Sequence, residues 1–181
     1  MDSPAVERGS EMRKRSWMAV LVAAALCLAF AAPVAAKDPV RPFGGSFTTH
    51  DTYDLTHPGC PSGAFLKADI IGQGQFQHLG RTQVHFTHCS WLNLGTGAGR
   101  TGVGEMTLTA ANGDTLLLSY QATFQMDPWP DFVSSTIDSL PWTVVGGTGR
   151  FEHATGSGTG HGFGIMASGS STYWLSGSIS Y

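Results

Sequence analysis

From residue 156 to residue 164 the chain places glycine at every other position. Ser157, Thr159, His161 and Phe163 lie between, and Ile165 follows. Successive side chains of a strand point to opposite faces, so a strand here has one face almost without side chains. Glycine weakens a strand unless something needs the space: a steep bend, a close backbone approach, or room for groups from elsewhere. The pattern constrains architecture more than chemistry.

The first 36 of the 181 residues stand apart from any fold. Arg13, Lys14 and Arg15 precede an apolar run over 17–32, and Val34, Ala35 and Ala36 are small residues at a cleavage position. That layout predicts a secretory signal peptide over 1–36, with Met12 as a candidate true start. An uncleaved membrane anchor is the alternative. A lipoprotein is disfavoured, because Leu26 rather than a small residue precedes Cys27.

The mature chain, from about Lys37, carries six Lys and Arg against ten Asp and Glu, a formal charge of −4. It has no basic cluster, which argues against nucleic acid as a partner. It has no second long apolar run, so no membrane association is expected after signal cleavage. Its two cysteines, Cys60 and Cys89, are expected to pair in an oxidising compartment, periplasmic or extracellular. The rival reading is a reactive Cys89 thiolate between His88 and Ser90.

No segment of residues 37–181 sustains a helical apolar period. Strands punctuated by Gly, Asn, Pro and Ser account for nearly all of it, which predicts one all-β domain, a barrel or sandwich. Eight strands are expected, near 43–51, 64–78, 81–91, 104–111, 114–124, 134–146, 155–165 and 171–181. Facing partners of a hairpin share a face. The even-numbered set Met106, Leu108, Ala110, Leu116, Leu118 and Tyr120 therefore requires a three-residue loop, Ala111-Asn112-Gly113, with Gly113 left-handed. A second hairpin is expected to turn at His78-Leu79-Gly80. Residues 95–104 read as a flexible connector and residues 128–131 as a rigid one. An eight-stranded antiparallel barrel has no exposed edges, and its interior is filled by side chains or holds one small ligand.

Familiar catalytic patterns are weak here. Gly97-Ala98-Gly99-Arg100-Thr101-Gly102 spells a dinucleotide fingerprint, but a strand rather than a helix N-terminus should follow it. His85 and His88 would lie on opposite faces of a strand. No zinc-type spacing occurs, so neither metal nor cofactor is expected. There is no G-x-S-x-G elbow, and the sparse acids offer no carboxylate pair.

Strand parity does pick out a few interior candidates. Val84, Phe86 and His88 share a face, which places His88 inward near one end of the barrel. There it is either a satisfied core histidine or a ligand-orienting, proton-transferring group. Tyr120 and Tyr173 are in phase with apolar neighbours and join Phe86 as candidate ligand-binding residues. Asp51, in phase with Phe43 and Phe47, is the nearest acidic candidate, although its position reads as a solvated strand end.

Gly146-Gly147-Thr148-Gly149-Arg150-Phe151, with Ala154 and Gly156 beyond it, resembles the G-G-[ST]-G-x-F-x-x-x-x-G stretch of plant allene oxide cyclases and dirigent proteins. A longer set of marks looks like uncharacterised exported bacterial members of that barrel class. It comprises Gly72-x-Gly74, His78-Leu79-Gly80-Arg81 and residues 108–116. The resemblance implies an eight-stranded barrel binding apolar intermediates. It implies a structural turn at Gly146, Gly147, Gly149 and Phe151, and it admits a homo-oligomer, since the plant proteins form dimers and trimers, although no interface motif carries over. It also implies that the glycine face looks inward, because the cyclases carry apolar residues at the parity of Gly158 and Gly160. Trp142, Phe86 and Phe124, or a guest, would then cover that bare wall. The acidic, cysteine and asparagine residues linked to cyclase chemistry find no matching motif.

Three functions fit these expectations. The first is non-catalytic binding of a small hydrophobic molecule. The second is an isomerase, cyclase or dirigent-like protein using His88 and an acid. The third is a solid barrel that associates through outward Trp91 or Trp174.

Overall fold

The computed structural model describes residues 38–56, 59–127 and 130–181. The expected signal peptide, Lys37 and the first two residues of the second connector lie outside them. Among the described residues the strands are β1 (Arg41–Asp54), β2 (Leu66–Phe76), β3 (Gly80–Leu92), β4 (Ala98–Thr101), β5 (Gly104–Ala110), β6 (Thr115–Tyr120), β7 (Thr123–Met126), β8 (Ser134–Ser139), β9 (Trp142–Gly147), β10 (Thr155–Ile165) and β11 (Ser170–Ser180). No described helix is long and apolar enough to cross a membrane.

All pairings are antiparallel, and the sheet closes on itself. One circuit runs β10, β11, β1, β2, β3, β5, β6, β9 and back to β10. A second leaves β3 through β4, β7 and β8 and rejoins β10. Each circuit is a ring of eight strands. Residues 98–101, expected as part of a flexible connector, form β4 and pair with both β3 and β7. The strands expected at 114–124 and 134–146 are each divided.

The divisions fall side by side, at Gly102-Val103, Gln121-Ala122 and Leu140-Pro141. Pro141 has no N–H to continue a ladder. Other groups patch the gap. The Ala122 N–H donates to the Thr101 hydroxyl at 2.8 Å. The Gly102 N–H donates to the Cys89 carbonyl at 2.7 Å. Three adjacent strands thus turn a corner together while the Gly102 and Ala122 amides stay bonded.

Both hairpins turn through three residues. Thr109 pairs with Thr115, and Gly113 is left-handed with φ 91°, as the parity argument required. In the second, Phe76 pairs with Gly80, so the loop is 77–79, one residue earlier than expected. The Gly146–Phe151 segment ends β9 and forms a 3-10 turn whose Phe151 is fully buried against Tyr181, ring centroids 4.8 Å apart.

The interior is a column of aromatic rings. Trp142 meets Phe43 edge-on at 5.5 Å, and Phe43 stacks on Phe76 at 5.8 Å. Phe76 continues to Phe47, and Phe47 to Phe86 and Tyr173. An eight-stranded ring has little room for so many rings. The room comes from glycine directly across the ladder. Gly45 faces Phe76, Gly74 faces Phe47, Gly104 faces Tyr120, Gly158 faces Trp142 and Gly162 faces Tyr173. A Cβ at Gly45, Gly104 or Gly162 would stand 2.6 Å from the facing ring. The alternating segment is therefore the inward wall of β10, and Ser157, Thr159, His161, Phe163 and Ile165 are exposed. Trp142, Leu175, Tyr173 and Ile179 cover it. Of the three residues expected there, Trp142 serves; Phe124 lies instead over Gly99 of β4, and Phe86 packs against Phe47, Tyr120 and Tyr173.

Cys60 and Cys89 are bonded, with Cα atoms 5.7 Å apart. This excludes a free Cys89 thiolate and ties the β1–β2 connection to the outer face of β3. Replacing both cysteines by serine should lower unfolding stability by roughly 3 kcal/mol, through the closed loop of 29 residues. Gly158→Val should cost about 2–3 kcal/mol, because its side chain must displace the Trp142 ring and the Ser176 carbonyl. Thr159→Val, on the exposed side of the same strand, should be near neutral. Urea unfolding of the variants distinguishes the two glycine-strand faces, and equal losses would contradict the covered-wall account.

Candidate functional site

The aromatic column does not fill the ring to its end. Beyond Phe86 and Tyr173 a cavity of about 70 Å³ remains, at the end that carries the disulfide. Phe65, Leu66, Phe124, Met126 and Ile137 are among its apolar walls, and His88, the tyrosines Tyr53, Tyr120 and Tyr173, and the hydroxyls of Ser90, Thr101, Ser135 and Ser171 are its polar side chains. The short strands β4, β7 and β8 frame it, so the break in three strands builds this end of the ring.

His88 arrives by alternation on β3, two residues after Phe86, and its Nδ1 lies 2.7 Å from the Tyr120 hydroxyl. Tyr120 stands two strands away. Its ring crosses β5 above Gly104, where a Cβ would lie 2.6 Å from the ring and 2.7 Å from the hydroxyl. The missing side chain at Gly104 is what lets the two meet. Burial pushes the His88 pKa down to about 4, so the imidazole is neutral at pH 7. A neutral ring accepts the Tyr120 proton at Nδ1 in one tautomer and donates Nδ1–H in the other. Burial, and then Tyr173, hold the Tyr120 hydroxyl well above the usual phenol range.

Asp51 is not at a solvated strand end. β1 continues to Asp54, and Asp51 is only 6 % exposed. Its Oδ2 accepts from the Ser171 hydroxyl at 2.5 Å and from the Tyr53 hydroxyl at 3.1 Å. Oδ1 is buried without a partner. Burial, then the Asp51 charge, raise the pKa of both Tyr53 and Tyr173 above the usual range.

Parity thus placed Phe86, His88, Tyr120 and Tyr173 in the interior, with His88 near one end; the structure gathers all four around the cavity and joins His88 to Tyr120. It does not join His88 to the acid. Among the described residues no hydrogen bond links His88 with Asp51, whose side-chain partners are Tyr53 and Ser171. Tyr53 and Ser171 escaped the sequence reading. Tyr53 has the parity of Phe47 and Asp51, so running the first strand two residues further would have found it. Ser171 has the parity of Tyr173, but a serine at a strand start carries no signal. His85 points outward and bonds Asp69 at 2.8 Å. Among the described residues no three His, Cys, Asp or Glu converge as metal ligands. The Gly97–Gly102 fingerprint lies on and around β4 and runs into β5, with no helix to receive a phosphate.

No protein-family model, curated protein or solved structure matches the chain.

The depressed His88 pKa has a consequence for stability. The unfolded histidine takes up a proton near pH 6.5, whereas the folded one resists until about pH 4. The unfolded state therefore binds more protons between these values, and stability falls as pH drops through that window. The loss should approach roughly 3 kcal/mol below pH 4 and be absent above pH 7. In His88→Gln this component of the pH slope should vanish; an unchanged slope in that variant would place its origin elsewhere.

Proposed function

We propose that this chain is an exported β-barrel protein of the allene oxide cyclase and dirigent class that binds a small hydrophobic molecule without transforming it. The observation that carries this reading is the apolar, aromatic-walled cavity beside His88, with few polar groups converging on it. The closed ring of eight strands and the buried turn at Phe151 support the barrel class. The basic run and apolar stretch of residues 13–32 and the Cys60–Cys89 bond support export.

The non-catalytic assignment rests on the partners of the titratable groups. His88 is neutral and bonded to a phenol, and the carboxyl group that could have activated it is bonded elsewhere. A general acid–base pair needs direct contact or a shared water. At about 70 Å³ the cavity is well below the roughly 300 Å³ of ordinary ligand pockets, so the guest is compact or leaves its tail outside.

That small volume also favours a second reading, a solid barrel that acts through its surface. Trp174 is 43 % exposed on the outer face of β11 and stacks on His161 at 5.2 Å.

Native mass spectrometry of the protein purified from its own host separates the two. The binding reading expects a retained mass that is lost in Ala122→Phe, which fills the cavity wall at a cost of about 1–3 kcal/mol. Absence of any adduct, together with no shift of cavity resonances on adding compact apolar molecules, would favour the solid barrel.

A further inference from the structure

A purely apolar guest would leave unanswered one group that lies just behind the cavity wall, bonded to two of its lining hydroxyls. Asp51 is buried, both hydroxyls that reach it donate to Oδ2, and Oδ1 has no partner. Among the described residues no Lys, Arg or His forms an ion pair with it. No lysine or arginine lines the cavity. The one basic group there, His88, is held neutral by burial. A carboxylate withdrawn from water without a positive partner costs several kcal/mol.

The hydroxyls extend the same bias to the cavity surface. Tyr53 and Ser171 line the cavity, and each has given its only hydroxyl hydrogen to Asp51. Their oxygens are left with lone pairs and no proton, Ser171 also meeting the Tyr173 hydroxyl, while the lining hydroxyls of Ser90, Thr101, Tyr120 and Ser135 make no bond to Asp51. Phe65, Phe86, Tyr120, Phe124 and Tyr173 add aromatic rings, whose quadrupoles attract cations. Rings, lone pairs and carboxyl group all favour the same sign of charge.

We propose, building on the reading of this cavity as a ligand site, that its natural guest is a small organic cation, a protonated or methylated alkylamine. The ammonium head sits among the aromatic rings and against the Tyr53 and Ser171 oxygens, with Asp51 one hydrogen bond behind them as counter-ion. The narrow volume suits a head group of a handful of non-hydrogen atoms, on the order of a few water volumes.

The test compares two molecules of one shape and different charge, isobutylammonium and isobutanol, titrated into the purified protein at pH 7. Binding is followed by the NMR shifts of Ala122 and Gly164. The expected result is that isobutylammonium binds about tenfold or more tightly than isobutanol. Asp51→Asn should bring the two affinities together by weakening the amine alone. If that variant does not fold, Tyr53→Phe keeps the ring and should weaken the amine about threefold and the alcohol, a weaker and uncharged donor, by less. Equal affinities in the unmodified protein, or a preference that survives both substitutions, would overturn the cation assignment and leave the hydrophobic-ligand reading standing. If neither molecule shifts a cavity resonance, both readings fall.

Discussion

Everything in this structure depends on aromatic rings being set directly across the ladder from glycines. A closed ring of eight strands encloses a space that ordinary side chains just fill. Phe43, Phe47, Phe76, Phe86, Trp142 and Tyr173 together would overfill it if every inward position also carried a Cβ. Gly45, Gly74, Gly158 and Gly162 remove that conflict pair by pair, each lying opposite one of the rings. The glycines lose strand propensity, and the buried aromatic area offsets the loss. The bare wall of β10 is the longest stretch of this arrangement.

The same device builds the candidate site. Gly104 lets Tyr120 cross a strand to reach His88, and Gly162 seats Tyr173 beside Phe47 and Phe86. Where the rings end, the polar groups begin, and they fall into two separate sets. One is a neutral imidazole bonded to a phenol, and the other is a buried carboxyl group served by two hydroxyls. Their separation decides the chemistry. Joined, they would be an acid–base pair; apart, they shape the electrostatics of a cavity.

Much of this was legible before any coordinates. Alternation alone put Val84, Phe86 and His88 on one face, and the even-numbered set around Asn112 required the three-residue loop that forms. Cys60 and Cys89 were the obvious pair outside a reducing compartment. β4 was hidden because Gly97, Gly99 and Gly102 read as a flexible connector, while its pairing with β3 and β7 is a long-range fact. The burial of Asp51 was hidden for a related reason. An acid near a strand end reads as solvated unless one knows that β1 runs on to Asp54 and that the β10–β11 turn closes over it, with the Asp51 N–H donating to the Gly169 carbonyl at 2.7 Å.

The alternating glycines show where sequence and structure divide the work. By themselves they determined that β10 has one face without side chains, because strand alternation is a local property of the backbone. They could not determine what occupies the vacated space. That depends on which residues stand opposite, and register between strands is set only when the sheet closes. Tertiary structure put Trp142 over Gly158 and Tyr173 over Gly162, and only the small Ser171 against Gly164, where the cavity begins.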